Sequence, residues 1–111
     1  MKVRIVFDKR YDILNGLYAV KVRELEFDEE LAKVLEGVEP KIRIGSEEIS
    51  LSELKGRTFT AKTRDDAEKI MSEVRGALIE TLGSLIARFR EAQSFNGSVV
   101  YEIDFNELFK E

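Results

Sequence analysis

The sequence predicts an α+β domain: an antiparallel, bulged and twisted sheet with one short and one long helix packed on one face. Three observations carry that expectation. Apolar and polar residues alternate from Val3 to Ile13 and run into Asn15-Gly16, a strong hairpin signal. A period near 3.6 runs from Ala67 to Ala92 and describes a long amphipathic helix. Between them lie short strand-like runs punctuated by Gly37, Gly45 and Gly56.

In the first strand Val3, Ile5, Phe7, Tyr11 and Ile13 share one face, with Lys9 the polar member of the set. A two-residue turn at Asn15-Gly16 sets Ile13 opposite Tyr18 and Tyr11 opposite Val20. The second strand then changes phase, from Val20 and Val22 to Leu25 and Phe27. One extra residue near Arg23-Glu24 corrects the mismatch, so a β-bulge is expected there, with Phe7 opposite Leu25 and Ile5 opposite Phe27. Asp28 caps a short helix over 29–36 that buries Leu31, Val34 and Leu35, with Gly37 and Pro40 after it. Ile42 and Ile44 begin a strand, and Gly45-Ser46 turns it into another carrying Ile49 and Leu51. Ser50 to Glu53 also suits a single helical turn. Lys55-Gly56 leads into a strand over 57–62, with Phe59 and Ala61 inward. Beyond the long helix, Val99, Tyr101, Ile103 and Phe105 alternate as a last strand. A terminal turn over 106–111 leaves Leu108 and Phe109 to dock or to reach a partner.

The long helix is expected over 64–94. Thr63 is its N-cap, Asp65 and Asp66 favour its first turn, and Ser94 to Gly97 end it. Its core stripe is Ala67, Met71, Val74, Leu78, Leu82, Leu85, Phe89 and Ala92. The opposite face is unusual. Ser72, Gly76, Gly83, Ala87 and Ser94 fall together there, flanked by Ile79 and Ile86. A solvated helix face normally carries Lys and Glu, and each glycine costs about 1 kcal/mol relative to alanine. Small residues in a row admit another backbone, so this face reads as a contact surface for a partner protein or a second copy. The alternative is a solvated face with two tolerated glycines and the isoleucines widening the core.

At 111 residues the chain is one domain spanning 1–111, with a modest core that association would supplement. Charged residues make up 36 %, against about a quarter in ordinary domains, in the style of a heat-adapted protein. Cysteine and histidine are absent, which removes thiolate chemistry and the commonest base and metal ligand. No apolar run matches a membrane span, and a cytoplasmic location is expected. The net charge of −4 argues against indiscriminate nucleic-acid binding but not against a local basic patch.

Catalytic patterns are lacking: no phosphate loop, no nucleophile elbow, no metal-ligand spacing. No enzymatic activity and no cofactor or metal are expected. The acidic groups Asp28-Glu29-Glu30, Glu47-Glu48 and Asp65-Asp66 sit at caps and turns, where negative charge has a structural use. The basic residues Lys2, Arg4, Lys21, Arg23, Lys41 and Arg43 fall at alternate strand positions. They suit either an outer sheet face that tracks tRNA phosphates or a face neutralised by cross-strand partners, Glu102 and Asp104 among them.

The run Leu25-Glu26-Phe27-Asp28-Glu29-Glu30-Leu31-Ala32-Lys33-Val34-Leu35, then a hairpin, then Thr60-Ala61-Lys62-Thr63-Arg64-Asp65-Asp66-Ala67 opening a long helix, resembles a known family. It is similar to the small dimerisation subunit of the KEOPS complex, which makes the threonylcarbamoyl modification of adenosine in tRNA. The likeness spans roughly 25–89. It implies a non-catalytic subunit that dimerises through its sheet and docks its helices on larger subunits. The family's early helical Arg and Asn are replaced by Lys69 and Glu73, and the segment 1–18 and the last strand are additions. The resemblance therefore implies a divergent paralogue that pairs with the standard subunit.

The function these readings favour is an association subunit working through Ser72, Gly76, Ile79, Gly83, Ile86 and Ala87. The first alternative is a small RNA-binding module using the basic sheet face. The second is a ligand-binding or enzymatic domain built on the carboxylates.

Overall fold

The computed structural model describes residues 1–109, the Leu108 side chain excepted. In chain order the elements are β1 (Val3–Asp12), β2 (Leu17–Phe27), α1 (Glu29–Val34), β3 (Lys41–Ile44), β4 (Glu47–Ser50), α2 (Leu51–Leu54), β5 (Thr58–Ala61), α3 (Arg64–Phe95) and α4 (Phe105–Leu108). The fold is α+β. Its strands form two antiparallel sheets rather than one: β1-β2-β5, and a separate β3-β4 hairpin. The hairpin packs on α3, where Ile42 and Ile49 enter the common core, and so never reaches the edge of the larger sheet.

The bulge falls where the change of phase requires it. Val6 pairs with Glu24 and Phe7 with Val22, which leaves Arg23 as the extra residue. Val22 and Leu25, of opposite parity in sequence, thereby both reach the core. The register itself differs by two residues from the expected one. Tyr11 faces Tyr18, Lys9 faces Val20 and Ile5 faces Leu25. The cause is Asp12. Its carboxylate accepts from the amides of Leu14 (3.1 Å) and Asn15 (3.3 Å) and from Asn15 Nδ2 (2.7 Å). These bonds wrap residues 13–16 into a four-residue turn, closed by the Gly16 amide on the Asp12 carbonyl (2.8 Å) with Gly16 at φ +64. Ile13 and Leu14 are pushed out to the tip. A shift of two preserves which face each side chain takes, so the core composition survives the change.

One apolar cluster unites the elements. Val22 and Leu25 of β2, Leu31 and Val34 of α1, Ile42 and Ile44 of β3, Ile49 of β4, Leu51 and Leu54 of α2, and Val74, Leu78 and Leu82 of α3 are all buried in it. Burying each such side chain is worth about 1.5–3 kcal/mol. Both α1 and α3 therefore lie on the same face of the larger sheet. Helix α1 opens on Asp28, whose carboxylate accepts the Leu31 amide at 3.0 Å. It stops two residues earlier than expected, with Leu35 as its C-cap and Gly37 at φ +72.

Of the two readings of Ser50 to Glu53, a strand end or a single helical turn, the turn holds: Ser50 is the N-cap and Leu51 opens α2. The Leu51 amide donates to the Pro40 carbonyl (3.1 Å), and Glu39 Oε1 accepts both the amide (3.2 Å) and the hydroxyl (2.6 Å) of Ser52. A residue from before β3 thus does the capping. Arg57 then ties the two sheets together, pairing with Glu47 of β4 while its guanidinium lies 5.5 Å over the Phe59 ring.

The last expected strand does not pair. Val99, Tyr101 and Ile103 carry no ladder, and Phe105 opens α4. The reason lies in α3, which at 32 residues is about 48 Å long. It outruns the strands beneath it, of which the longest, the eleven-residue β2, spans about 36 Å. Phe89 is its last half-buried residue, and Ala92, expected in the core stripe, is exposed. The molecule therefore extends 93 × 26 × 17 Å, with a radius of gyration of 22.9 Å. A compact chain of this length would have about 13 Å. Of the expected terminal turn, residues 110 and 111 and the Leu108 side chain lie outside the described residues; Phe109 is exposed, with its ring stacked near that of Phe105.

Three carboxylates, the exposed Glu39 and the half-buried Asp12 and Asp28, hold local structure in their charged form. Hydrogen bonds from Asn15 lower the Asp12 pKa, the bond from the Leu31 amide lowers that of Asp28, and those from Ser52 lower that of Glu39. Groups held below their ordinary values stabilise the fold above the ordinary carboxylate range, and that contribution fades as pH falls through the lowered values. The melting temperature should accordingly drop between neutral and strongly acidic pH. The triple variant Asp12→Asn, Asp28→Asn, Glu39→Gln should melt lower at pH 7 and show a shallower acid slope; an equally steep slope would mean that other groups dominate.

Candidate interaction surface

Two surfaces of α3 and its continuation have no counterpart in the chain's own core. The first is the small-residue face. Ser72, Gly76, Ile79, Gly83 and Ala87 are all exposed on it, as is Ser94. Ile79 is 57 % exposed. Ile86, expected beside them, is half-buried and packs against the core cluster, so it widens the inner stripe. A Cβ added at Gly76 or Gly83 would meet nothing within 4 Å. Nothing in this chain's own packing requires a glycine at either place, although each weakens the helix by about 1 kcal/mol.

The second surface is the C-terminal arm, which sequence reasoning assigned to the sheet. From Arg90 to Glu107 every residue is exposed. Phe95, Val99, Val100, Tyr101, Ile103 and Phe105 are 62–88 % exposed. A soluble domain rarely displays so many large apolar side chains in one contiguous segment. A length comparison could have revealed the arm. A helix of about 48 Å outruns even the eleven-residue β2, which spans about 36 Å.

The basic residues divide between the two sheets. Arg4 lies 3.5 Å from Glu24 and 3.9 Å from Glu26, and Arg23 lies 3.2 Å from Asp8. Lys2 and Lys21 are exposed beside them. Lys41 and Arg43 stand on β3, where they line a cleft against α3 together with Glu80 and Arg88. The six residues thus form a mixed-charge sheet face and a separate basic cleft rather than one stripe. The acidic groups take structural positions: Asp28 caps α1, Asp65 and Asp66 occupy the first turn of α3 behind the Thr63 cap, and Glu47 pairs with Arg57. Among the described residues there is no cluster of potential metal ligands, and no helix is long and apolar enough to cross a membrane.

Comparison of the chain with protein-family models, with curated proteins and with solved structures finds no match.

The open space at the glycines makes a two-part prediction. Gly83→Ala should stabilise the isolated chain by about 0.5–1 kcal/mol in urea unfolding, because it adds helix propensity without a clash. Gly83→Leu should leave the fold intact yet weaken association through this face. A destabilised alanine variant would show that the glycine serves this chain's own packing.

Proposed function

We propose that this chain is a non-catalytic subunit that works by association with another protein chain. One observation carries the reading: the arm from Phe95 to Phe105 displays a run of large apolar side chains that its own core leaves uncovered. Exposed apolar area on this scale is unfavourable in water, and covering it would release about 25 cal/mol for each Å² buried. The open glycine face of α3 adds a second place where a neighbouring backbone fits.

In its most concrete form this is an accessory or dimerisation subunit of a KEOPS-like tRNA-modifying complex. That form rests on the resemblance over 25–89 alone. A second reading, a small RNA-binding module, is favoured by the cleft that Lys41, Arg43 and Arg88 line with a single acid, Glu80. Three cations in one cleft suit phosphate contacts whose strength falls with salt.

One experiment separates the readings. The tagged full chain is recovered from its source cells under native conditions, and the assembly is weighed by native mass spectrometry with and without ribonuclease. A stoichiometric protein complex or homo-oligomer that survives ribonuclease is the expected result. An assembly that dissolves with ribonuclease or moderate salt would favour the RNA reading, and a lone monomer would overturn association.

A further inference from the structure

We propose that residues 98–104 are a donated strand that pairs antiparallel with the free edge of β1 in a second copy of this chain. The inference rests on the association reading and names its occupant.

The donor has the chemistry of a strand but no sheet. Val99, Tyr101 and Ile103 alternate with Ser98, Val100, Glu102 and Asp104, which gives one apolar face and one face ending in acid; Phe105 already belongs to α4. Asn96, at φ −64 and ψ 136, leaves α3 in an extended conformation, the chain bends at Gly97 (φ +156), and Asp104 is extended at φ −100 and ψ 104. Helix α3 has by then carried the chain clear of its own core, so the strand meets an edge most directly on another molecule.

The acceptor is the outer strand of the larger sheet. In the order β1-β2-β5, β1 has ten residues and pairs on one side only. Its inward residues are incompletely covered: Val3 is exposed, and Ile5 and Phe7 are half-buried. The other edge, β5, has only four residues. An unpaired edge of the length of β1 is a template for strand addition.

Donor and acceptor match in one register. With Tyr101 opposite Ile5, Val99 meets Phe7 and Ile103 meets Val3 on the inner face. On the outer face Val100 meets Val6, Asp104 meets Lys2, and Glu102 meets Arg4, whose guanidinium Glu24 and Glu26 of its own chain also approach. Apolar pairs with apolar and acid pairs with base along the strand. A slip of two residues that sets Tyr101 on Phe7 places Val99 on Lys9, and the opposite slip, with Tyr101 on Val3, places Val100 on Arg4 and carries Ile103 beyond β1 to Met1. A parallel arrangement with Tyr101 on Ile5 places Asp104 on Asp8. A slip of one turns the apolar set onto the charged face. Because both halves of the match belong to this chain, two copies satisfy each other reciprocally. The exchange closes with twofold symmetry, so it ends at a dimer.

The test uses charge exchange in the full-length chain. The tail variant carries Glu102→Lys and Asp104→Lys; the edge variant carries Lys2→Glu and Arg4→Glu. All four positions are exposed, and far-UV circular dichroism verifies that each variant folds. Light scattering should give a dimer for the unaltered chain. Each variant alone should dimerise at least about tenfold more weakly. An equimolar mixture should recover a heterodimer, because each tail then meets an edge of opposite charge. Dimers that persist unchanged in both variants would overturn the strand exchange while leaving association through another surface intact. An unaltered chain that is monomeric at every concentration would also overturn it, and the mass of the native assembly then decides the broader reading separately.

Discussion

One apolar seam holds this molecule together. Val74, Leu78 and Leu82 of α3 lie in the same buried cluster as Val22 and Leu25 of the long hairpin and Ile42 and Leu54 of the inserted elements. Every other element is placed by what it contributes to that seam. The bulge at Arg23 lets β2 supply both Val22 and Leu25, and the β3-β4 hairpin adds Ile42 and Ile49 from the side. The seam also sets a limit. It is as long as the strands can make it, and α3 continues past its end.

That mismatch in length governs the rest of the architecture. A helix that ended with the core would have exposed only its polar face. This helix keeps apolar residues through Phe89 and delivers Phe95 and the segment behind it into solvent. The charged sheet face, by contrast, is largely settled within the chain, Arg4 and Arg23 each standing near carboxylates of neighbouring strand positions. Exposed ion pairs of this kind contribute little to stability, but they leave the face balanced in charge. The uncompensated features are the apolar arm, the open glycine face and the bare edge of β1.

Much of the fold was legible in local pattern. The period of α3, its Thr63 cap and the change of phase that forces the bulge are all written within a few residues of where they act. The misread features depend on partners further away or on competition between turn types. Asn15-Gly16 suggested a two-residue turn, but the Asp12 carboxylate collects three donors and selects a four-residue one. Ser50 to Glu53 suited either a strand end or a helical turn, and Glu39 and Pro40, reaching across from before β3, select the turn. Alternation from Val99 to Phe105 marks a strand but says nothing about whose sheet receives it. Ile86 belongs to the inner stripe because the helix packs over a wider arc than a single row of contacts. The two glycines, in turn, are compatible with either a solvated or a covered face until their surroundings are known.

Amide hydrogen exchange over 98–104, followed in the full-length chain at two concentrations, tests strand exchange most directly. Alternate amides of that segment, together with the outward amides of β1, should exchange slowly at the higher concentration and lose that protection on dilution. Exchange of the segment at the rate of an unstructured peptide, in a sample that light scattering shows to be dimeric, would contradict the account.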